Sequence, residues 1–548
     1  MRSTTLSFAL LLALCGCAHA DAPTRHGPAT AAGAEPLDLV EADVAGLQAR
    51  MQAGTTTSLE LTRAYLQRIA SIDRAGPQLN AVIERNPQAE ADARALDAER
   101  RAGHTRGPLH GIPVLLKDNI DAVPMVNSAG SLALADFKPT RDAFLVQRLR
   151  AAGAVILGKT NLSEWANFRS TQSSSGWSAR GGLTRNPYAL DRNPCGSSAG
   201  TGAAIAASLA TVGIGTETDG SITCPASVNG LVGLKPTVGL VSRDGIIPIS
   251  ASQDTAGPMT RSVADAAAVL QAIAAPDPQD PATGTAPATR VDYPAHLKAD
   301  GLRGARLGLL RNRLREDPAI AATLDRAVQT LRAAGATVIE TRLATDGKWD
   351  TDEQTVLLVE FKAGLNAYLR SHNAPVANLE QLIAFNRNHA QRQMPYFGQE
   401  LFEQAQAARG LDDPGYLSAR ANARRLAGPE GIDATLLADR LDALIVPTTG
   451  PAWVTTLGKG DTFPGAGYGA AAVAGYPSLS VPMGQTRGLP LGLLFMGTAW
   501  SEPRLIELAY AYEQRSHARF APGYAPSARA APDAAPAPPK RDESAGKR

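Results

Sequence analysis

The sequence is poor in the residue patterns that metal-binding and nucleic-acid-binding proteins use. Its 548 residues include four cysteines and eight histidines, and none of them forms a CxxC or HExxH cluster, which excludes the common zinc motifs. The 54 Lys and Arg residues nearly balance the 52 Asp and Glu residues, so the basic excess of a nucleic-acid-binding surface is missing. The sequence predicts no metal, no cofactor and no nucleic-acid partner.

Long apolar runs are also missing. The run at residues 6–14 is too short to span a bilayer as a helix, so we predict no transmembrane segment. With a positive charge before it and small residues after it, the run makes residues 1–20 typical of an export signal. An AHA sequence ending at Ala20 fits signal peptidase cleavage, whereas an LCGC sequence ending at Cys17 resembles a lipobox that would make Cys17 a lipid anchor. Both alternatives predict export, to the periplasm.

Outside this signal only Cys195 and Cys224 remain. Two cysteines do not make a disulfide framework, although a bridge between them is conceivable in an oxidising compartment. We favour the interpretation that both are small buried residues with free thiols.

Composition divides the chain into a folded centre and two ends. Residues 21–36 form an Ala-rich linker and residues 522–548 an Ala/Pro-rich tail, and both are predicted to be disordered. Between residues 37 and 516, helical patterns alternate with short apolar strands, which indicates one α/β domain. Within it we predict that Ser58 is the N-cap of a helix over residues 58–72.

Two familiar motifs occur in the wrong structural context. Residues 153–160 match the phosphate-loop pattern GxxxxGK[ST] ending in Lys159 and Thr160, but the residues that should form a loop are themselves a predicted strand. Residues 196–200 match GxSxG with Ser198 at its centre, but the nucleophile elbow needs an apolar strand before it, and the preceding residues are polar and contain prolines. We interpret Ser198 as the structural N-cap of the following helix, near the site but not reacting.

A third set of residues is compatible with hydrolysis without histidine. Lys117 ends a predicted buried strand, while Ser197 and Ser221 lie in one tract rich in glycine and serine. A tract with few bulky side chains allows backbone NH groups to approach a ligand closely. Each residue alone is more often a surface charge, a cap or a turn, so only their joint occurrence favours catalysis.

Around these residues the sequence resembles the amidase signature family. The similar segments are the lysine segment at residues 111–118, the serine segments at 196–200 and 215–221, the GLKPT sequence at 233–237 and the later AGYP sequence at 474–477. The resemblance implies a single large amidase-signature domain, with a central mixed sheet covered by helices on both faces.

The resemblance also implies the roles of three residues: Ser221 as nucleophile, Ser197 as proton relay and Lys117 as base. The physics is consistent, because a serine hydroxyl is a weak nucleophile until a base accepts its proton, and lysine is a base only when neutral. Burial can lower a lysine pKa by up to roughly 3 to 5 units. A serine is small enough to bridge the two while donating one hydrogen bond and accepting another.

The oxyanion of the reaction needs hydrogen-bond donors. We predict that the backbone NH groups of Thr218, Asp219, Gly220 and Ser221 supply them. The carboxylate of Asp219 would repel an oxyanion, so we expect its side chain to point away.

Three departures from the broad family pattern, Glu217, Asp219 and Thr223, resemble its peptide amidase branch. They favour a peptide carboxy-terminal amide as substrate. Two alternatives stay open: an amidase of small aryl or aliphatic amides, and an exported peptide-binding protein without catalysis. A subunit like the family's tRNA-dependent amidotransferases is disfavoured by the export signal. Oligomeric state cannot be read from the sequence.

Overall fold

The computed structural model describes residues 37–289, 291–310 and 313–529, without the side chains of residues 313 and 315. The predicted signal over residues 1–20, its lipobox at Cys17 and the predicted linker over residues 21–36 therefore lie outside the described residues. From Leu39 onward the described residues belong to one compact unit. Within the described part of the chain, no helix combines the length and the apolar character needed to cross a membrane.

The centre of the fold is a mixed sheet. Eleven of the described strands join in the spatial order β1-β3-β2-β6-β8-β7-β12-β13-β11-β9-β10, and β4 and β5 pair separately. The strands are β1 Val82–Arg85, β2 Pro113–Lys117, β3 Val155–Thr160, β4 Trp177–Ser178, β5 Gly182–Leu183, β6 Val212–Glu217, β7 Val232–Lys235, β8 Thr255–Thr260, β9 Arg306–Leu310, β10 Thr337–Thr341, β11 Ala443–Pro447, β12 Ser478–Thr486 and β13 Leu489–Met496.

Parallel and antiparallel pairs coexist in this sheet. Strand β2 is parallel to both β3 and β6, and β9 is parallel to β10 and β11. The remaining neighbours in the sheet are antiparallel. Strands β2, β3, β6, β7 and β8 are buried along their full length, as expected when helices cover both faces of a sheet. The predicted fold class is confirmed.

Helices flank the sheet. They are α1 Val44–Gln52, α2 Ser58–Arg68, α3 Ala89–Arg101, α4 Phe144–Ala151, α5 Ala199–Ala206, α6 Thr223–Val228, α7 Val263–Ile273, α8 Pro318–Ala333, α9 Asp350–Ser371, α10 Leu379–Asn388, α11 Ala390–Gln393, α12 Glu400–Ala407, α13 Pro414–Ala427, α14 Ala434–Asp439, α15 Gly469–Ala474 and α16 Glu502–Ser516.

The predicted cap of α2 is off by one residue. Thr57, not Ser58, is the N-cap: its hydroxyl accepts from the NH of Glu60, and the Glu60 carboxylate accepts from the NH of Thr57. This reciprocal capping box satisfies two otherwise free donors, whereas Ser58 is already buried and donates to the carbonyl of Gly111.

Part of the predicted disordered tail is ordered in the structure. Residues 522–529 run along the domain, where the NH of Leu190 donates to the carbonyl of Ala525 at 2.8 Å and the NH of Tyr524 donates to the carbonyl of Pro187 at 2.9 Å. These main-chain hydrogen bonds hold the segment in place, and its Pro-containing composition did not predict them. Residues 530–548 lie outside the described residues.

Candidate active site

Two parallel strands bring Lys117 next to Thr216. In the register of β2 and β6, Leu116 lies opposite Ile214, so both strands end at the same edge of the sheet. Lys117 is the last residue of β2, and Thr216 is the last but one of β6. Because the carboxyl ends of parallel strands meet at one edge, both side chains reach the same small volume.

Lys117 is fully buried and makes three hydrogen bonds. Its Nζ atom donates to Oγ of Ser197 at 2.8 Å, to Oγ1 of Thr216 at 2.8 Å and to the carbonyl of Thr216 at 3.1 Å. Desolvation by burial lowers the pKa of Lys117 to about 7, although the carboxylates of Asp254 and Glu217 act in the opposite direction. The amine therefore exists substantially in its neutral form at neutral pH.

Ser197 and Ser221 lie on segments that touch through their backbones. The NH of Ser198 donates to the carbonyl of Ser221 at 3.2 Å, and the carbonyl of Ser197 accepts from the NH of Ser163 at 3.0 Å. Ser197 is fully buried, whereas Ser221 is 8% exposed. Ser221 Oγ makes no hydrogen bond to another described residue, so its hydroxyl is free to contact a ligand.

The backbone before Ser221 carries a row of free donors. None of the NH groups of residues 218–221 donates a hydrogen bond to another described residue. The two residues that follow behave differently, because the carboxylate of Glu217 accepts from the NH groups of Ile222 and Thr223. Four consecutive unpaired NH groups beside a hydroxyl form a suitable setting for a negatively charged oxygen.

Tyr468 packs directly against this loop. Gly220 has φ +79°, and a Cβ atom on it would lie 2.1 Å from two ring carbons of Tyr468. A side chain at this position is disfavoured both by the left-handed backbone and by the ring. Because Gly220 has no side chain, the loop can pack directly against the ring of Tyr468.

Two of the three departures from the broad family pattern contact each other. Glu217 accepts from the hydroxyl of Thr223 at 3.2 Å, in addition to its bonds with the two backbone NH groups. Its longer side chain reaches the first turn of α6 and fixes the segment that carries Ser221. The third departure, Asp219, lines a neighbouring cleft.

A disulfide joins the two serine segments. Cys195 and Cys224 are bonded, with Cα atoms 6.0 Å apart and a sequence separation of 29. The interpretation of free thiols is therefore wrong. The sequence could not show this because the contact depends on the topology of the fold. Helix α5 and strand β6 bring the chain back, so that Cys195, two residues before Ser197, lies next to Cys224, three residues after Ser221.

Lys159 and Ser198, the key residues of the two rejected motifs, are both buried and hydrogen-bonded within the fold. Lys159 is buried in β3, where its Nζ donates to the carbonyl of Ile120 at 2.6 Å and forms an ion pair with Asp118 at 3.4 Å. Ser198 is buried and at the N-cap position of α5, but its hydroxyl does not cap the helix. It donates instead to the carbonyl of Thr216 at 3.1 Å and accepts from the NH of Thr216 at 3.2 Å.

Sequence reasoning missed Thr216 and Asn119. The amide nitrogen of Asn119 donates to Oγ1 of Thr216 at 3.0 Å, so this one hydroxyl accepts from both Asn119 and Lys117. The signal was the position of Thr216 near the end of an apolar strand. It could not be used without knowing that β6 neighbours β2.

Two cavities adjoin the loop from different sides. One, of 530 Å³, is lined by Asn119, Thr216 and Thr218 among others. The other, of 1070 Å³, is lined by Asp219 and Tyr468 among others. Within the described ranges no group of three or more His, Cys, Asp or Glu side chains has an arrangement that could hold a metal ion.

Comparison with known proteins finds similarity over most of the chain. A family model described as Amidase matches residues 60–506. A probable amidase of Arabidopsis thaliana is 41% identical over 501 residues, which cover 89% of this chain and 92% of that protein.

Solved structures are similar over almost the same span. The native peptide amidase of Stenotrophomonas maltophilia has a TM-score of 0.87 and 63% identity, covering 89% of this chain and 100% of the other. An amidase family protein of Bacillus anthracis has a TM-score of 0.80 and 37% identity, covering 88% of this chain and 93% of the other.

Proposed function

This chain belongs to the amidase family and is an amidohydrolase, and we propose that it hydrolyses the carboxy-terminal amide of peptides through a Ser-Ser-Lys triad. In this proposal Ser221 is the nucleophile, Ser197 the proton relay and Lys117 the base. The observation that carries it is the buried contact between Lys117 Nζ and Ser197 Oγ at 2.8 Å.

The hydrogen bonds to Thr216 orient the amine of Lys117 relative to Ser197. Two of the hydrogen bonds of the lysine go to Thr216, and a neutral amine has two N–H donors and one lone pair. If both donors stay on Thr216, the lone pair is directed to Ser197 and accepts its proton. Ser197 then accepts the proton of Ser221, so the nucleophile is activated without histidine.

The reaction proceeds in two balanced halves. Oγ of Ser221 bonds to the amide carbon, the carbonyl π electrons move onto oxygen, and the NH groups of residues 218–221 stabilise the resulting oxyanion. When the carbonyl reforms, the C–N bond breaks, and the proton taken from Ser221 returns through Ser197 to the leaving nitrogen, which departs as ammonia. Water then attacks the ester, loses its proton to the same relay and releases the acid and the free serine.

Peptide specificity is supported by similarity and by size. The peptide amidase of Stenotrophomonas maltophilia is 63% identical to this chain. The cleft of 1070 Å³ that Asp219 and Tyr468 line is at the upper end of the range of about 300 to 1,000 Å³ for small-molecule pockets. A small aryl or aliphatic amide would fill only part of it.

In addition to the triad and the peptide substrate, we propose export to the periplasm. It is supported by the signal-like residues 1–20 and by the disulfide between Cys195 and Cys224, because such bonds persist in oxidising compartments. Detection of the cleaved chain in a periplasmic extract would support it. An uncleaved chain confined to the cytoplasm would contradict it.

The central experiment measures ammonia released from a peptide amide by the wild-type enzyme, by Ser221→Ala and by Lys117→Ala. We expect each substitution to lower kcat by at least about 10⁴-fold, as for other serine hydrolases that lose their nucleophile or base. Activity surviving both changes would end the triad proposal. A parallel assay on a small aryl amide separates the substrates: faster release from the aryl amide would favour the small-amide alternative.

A labelling experiment separates catalysis from simple binding. A serine-directed phosphonate should modify Ser221 in the wild-type protein, and Ser198→Ala should still be labelled. Absence of both labelling and ammonia release would favour a binding protein without catalysis.

A further inference from the structure

Residues 218–221, which we name the oxyanion loop, are held by their carbonyl groups and not by their NH groups. The carbonyl of Gly220 accepts from the NH of Cys224 at 2.8 Å, and that of Ser221 accepts from the NH of Ser198 at 3.2 Å. None of the four NH groups donates to another described residue. A loop that keeps its donors free for a ligand must be fixed by other groups, so these groups determine where the donors point.

The side chain of Thr218 provides one such anchor. Its hydroxyl donates to Oδ1 of Asp254 at 2.6 Å. The sheet brings the two residues together: in the antiparallel register of β6 and β8, Glu217 lies opposite Thr255, and the next pair along the two chains is Thr218 and Asp254. The contact therefore links the first residue of the oxyanion loop to the residue that precedes β8.

Asp254 is fixed independently of the oxyanion loop. Its other oxygen, Oδ2, accepts from the NH groups of Ile249 at 2.7 Å and Ser250 at 2.8 Å. A carboxylate accepts on both oxygens, whereas an asparagine side chain has only one acceptor oxygen. The two backbone hydrogen bonds would be enough to close the turn before β8, so a purely local role does not require the bond to Thr218.

A second hydrogen bond holds the backbone of the same threonine. Gln253 is 2% exposed, and its Nε2 donates to the carbonyl of Thr218 at 3.4 Å and to Oε1 of Glu353 at 2.9 Å. Two consecutive residues, Gln253 and Asp254, thus bind the carbonyl and the hydroxyl of Thr218.

We infer that Asp254 is a positioning residue for the oxyanion loop and acts through the hydroxyl of Thr218. This inference rests on the proposed function and adds to it the residues that align its oxyanion donors. The oxyanion forms only when Ser221 attacks the carbonyl carbon. Alignment of the donors therefore stabilises the transition state more than the bound substrate.

The charge of Asp254 also acts on the proposed base. Although Asp254 is partly exposed, desolvation of its carboxylate raises its pKa to about 6, and the hydrogen bond from Thr218 and the charge of Arg243 act in the opposite direction. The carboxylate is therefore mostly charged at neutral pH. Together with Glu217, it opposes the desolvation that lowers the pKa of Lys117 to about 7. Removal of this charge should lower the pKa of Lys117 further.

The test removes the contact from each side. Asp254→Asn keeps the volume but leaves one acceptor oxygen, and Thr218→Val keeps the volume but loses the hydroxyl. We expect each variant to lower kcat for ammonia release by about 10²-fold with little change in KM, because a displaced oxyanion donor weakens only the transition state. Thr218→Ser keeps the hydroxyl and should recover most of the activity that Thr218→Val loses.

Asp73→Asn is the matched control. Asp73 is 1% exposed, and it also accepts from two consecutive NH groups, those of Ala81 at 2.6 Å and Val82 at 3.1 Å. As in Asp254, desolvation raises its pKa. Its carboxylate makes no hydrogen bond to a described residue of the triad or the oxyanion loop. The control should lower stability and leave kcat and its pH dependence unchanged.

The pH dependence separates the positioning role from a loss of folded protein. In Asp254→Asn, kcat/KM should rise at a lower pH than in the wild type, because the variant lacks a negative charge that favours protonated Lys117. Partial unfolding would reduce the activity without moving this rise. Equal losses of kcat in Asp254→Asn and Asp73→Asn, with neither profile shifted, would overturn the inference.

Labelling provides a readout that does not depend on turnover. The rate at which a serine-directed phosphonate modifies Ser221 should fall in Asp254→Asn and Thr218→Val but not in Asp73→Asn, because the oxygen on phosphorus uses the same NH donors. Wild-type kcat and labelling in both loop variants would overturn the positioning role and leave the amidase proposal standing. A wild type that is labelled but releases no ammonia would overturn the proposed function, and the labelling rates would then decide the positioning role. Absence of labelling as well would overturn both.

Discussion

Lys117 and Thr216 are joined twice, because Nζ donates to the threonine hydroxyl at 2.8 Å and to its carbonyl at 3.1 Å. This pair fixes two of the three directions around the lysine nitrogen. The remaining direction is toward Ser197 at 2.8 Å. Thr216 is therefore a positioning residue for the proposed base.

Thr216→Val should weaken the base without removing it. Valine keeps the volume but loses the hydroxyl that accepts from Lys117, so the lysine loses its alignment and its charged form loses a hydrogen bond. We expect kcat/KM to fall by about 10²-fold, within the range for general-base catalysis, and the pH at which activity rises to shift downward. A pH series of kcat/KM measures both effects.

The control for this change is Thr160→Val on the other neighbour of β2. Its hydroxyl contacts Thr201 at 2.7 Å in a buried position and makes no hydrogen bond to Lys117. It should lower stability without moving the pH profile. Identical profiles for the two variants would contradict a positioning role for Thr216.

Activity should increase with pH as Lys117 loses its proton. Burial lowers the pKa of Lys117 to about 7, and only the neutral form can accept a proton. We expect kcat/KM to be low below this pH, to rise through it and then to level off, because the deprotonated base predominates there. The rate of Ser221 modification by a phosphonate should follow the same curve. A flat profile, or a rise only near the ordinary lysine pKa of about 10.4, would count against this base.

Gly220→Ala should disturb both folding and catalysis. The added Cβ would lie 2.1 Å from the Tyr468 ring at a φ of +79°, so the loop must move. We expect a loss of unfolding free energy of about 2 to 4 kcal/mol and a fall in kcat of about 10²-fold or more, since a displaced oxyanion donor has an effect of this size. Denaturant unfolding and ammonia release measure the two effects.

Gly54→Ala is the matched control for the backbone alone. Gly54 has φ +70°, but nothing lies within 4 Å of its added Cβ. It should cost only about 1 kcal/mol of unfolding free energy and leave kcat unchanged. If both alanine variants behaved alike, contact with Tyr468 would not matter.

Removing the disulfide should destabilise the folded enzyme. The double variant Cys195→Ala, Cys224→Ala releases a loop with a sequence separation of 29 residues, and we expect a loss of about 3 to 4 kcal/mol in urea unfolding. Because the two residues are 4% and 0% exposed, dithiothreitol should not affect the activity of the folded wild type. Unchanged stability of the double variant would contradict a structural role for the bond.

The sequence predicts elements whose signal is local. Asp317 caps α8, and aspartate before proline at a helix start is a local pattern that predicts such a cap. Strands β7 and β8 were not predicted, since the Gly, Lys and Pro residues in β7 and β8 do not read as strands. These two strands form because they pair with strands that are distant in the sequence.

The same distinction applies to the site. Lys117, Ser197 and Ser221 could be nominated because each lies in a recognisable short segment. The sequence could not reveal the roles of Thr216 and Asn119, because these roles depend on which strands are neighbours. It also could not reveal the contact of Gly220 with Tyr468, because the two residues are more than 240 positions apart.

The ordered segment at residues 522–529 limits how the chain can be shortened. The last helix ends at Ser516, which looks like a natural boundary for a recombinant protein. Yet the carbonyl of Ala525 accepts from the NH of Leu190, in the turn before Cys195, and the NH of Arg529 donates to the carbonyl of Arg487. A protein that ends at Ser516 would leave the NH of Leu190 and the carbonyl of Arg487 without these hydrogen-bond partners. The earliest safe carboxy-terminal boundary is therefore residue 529.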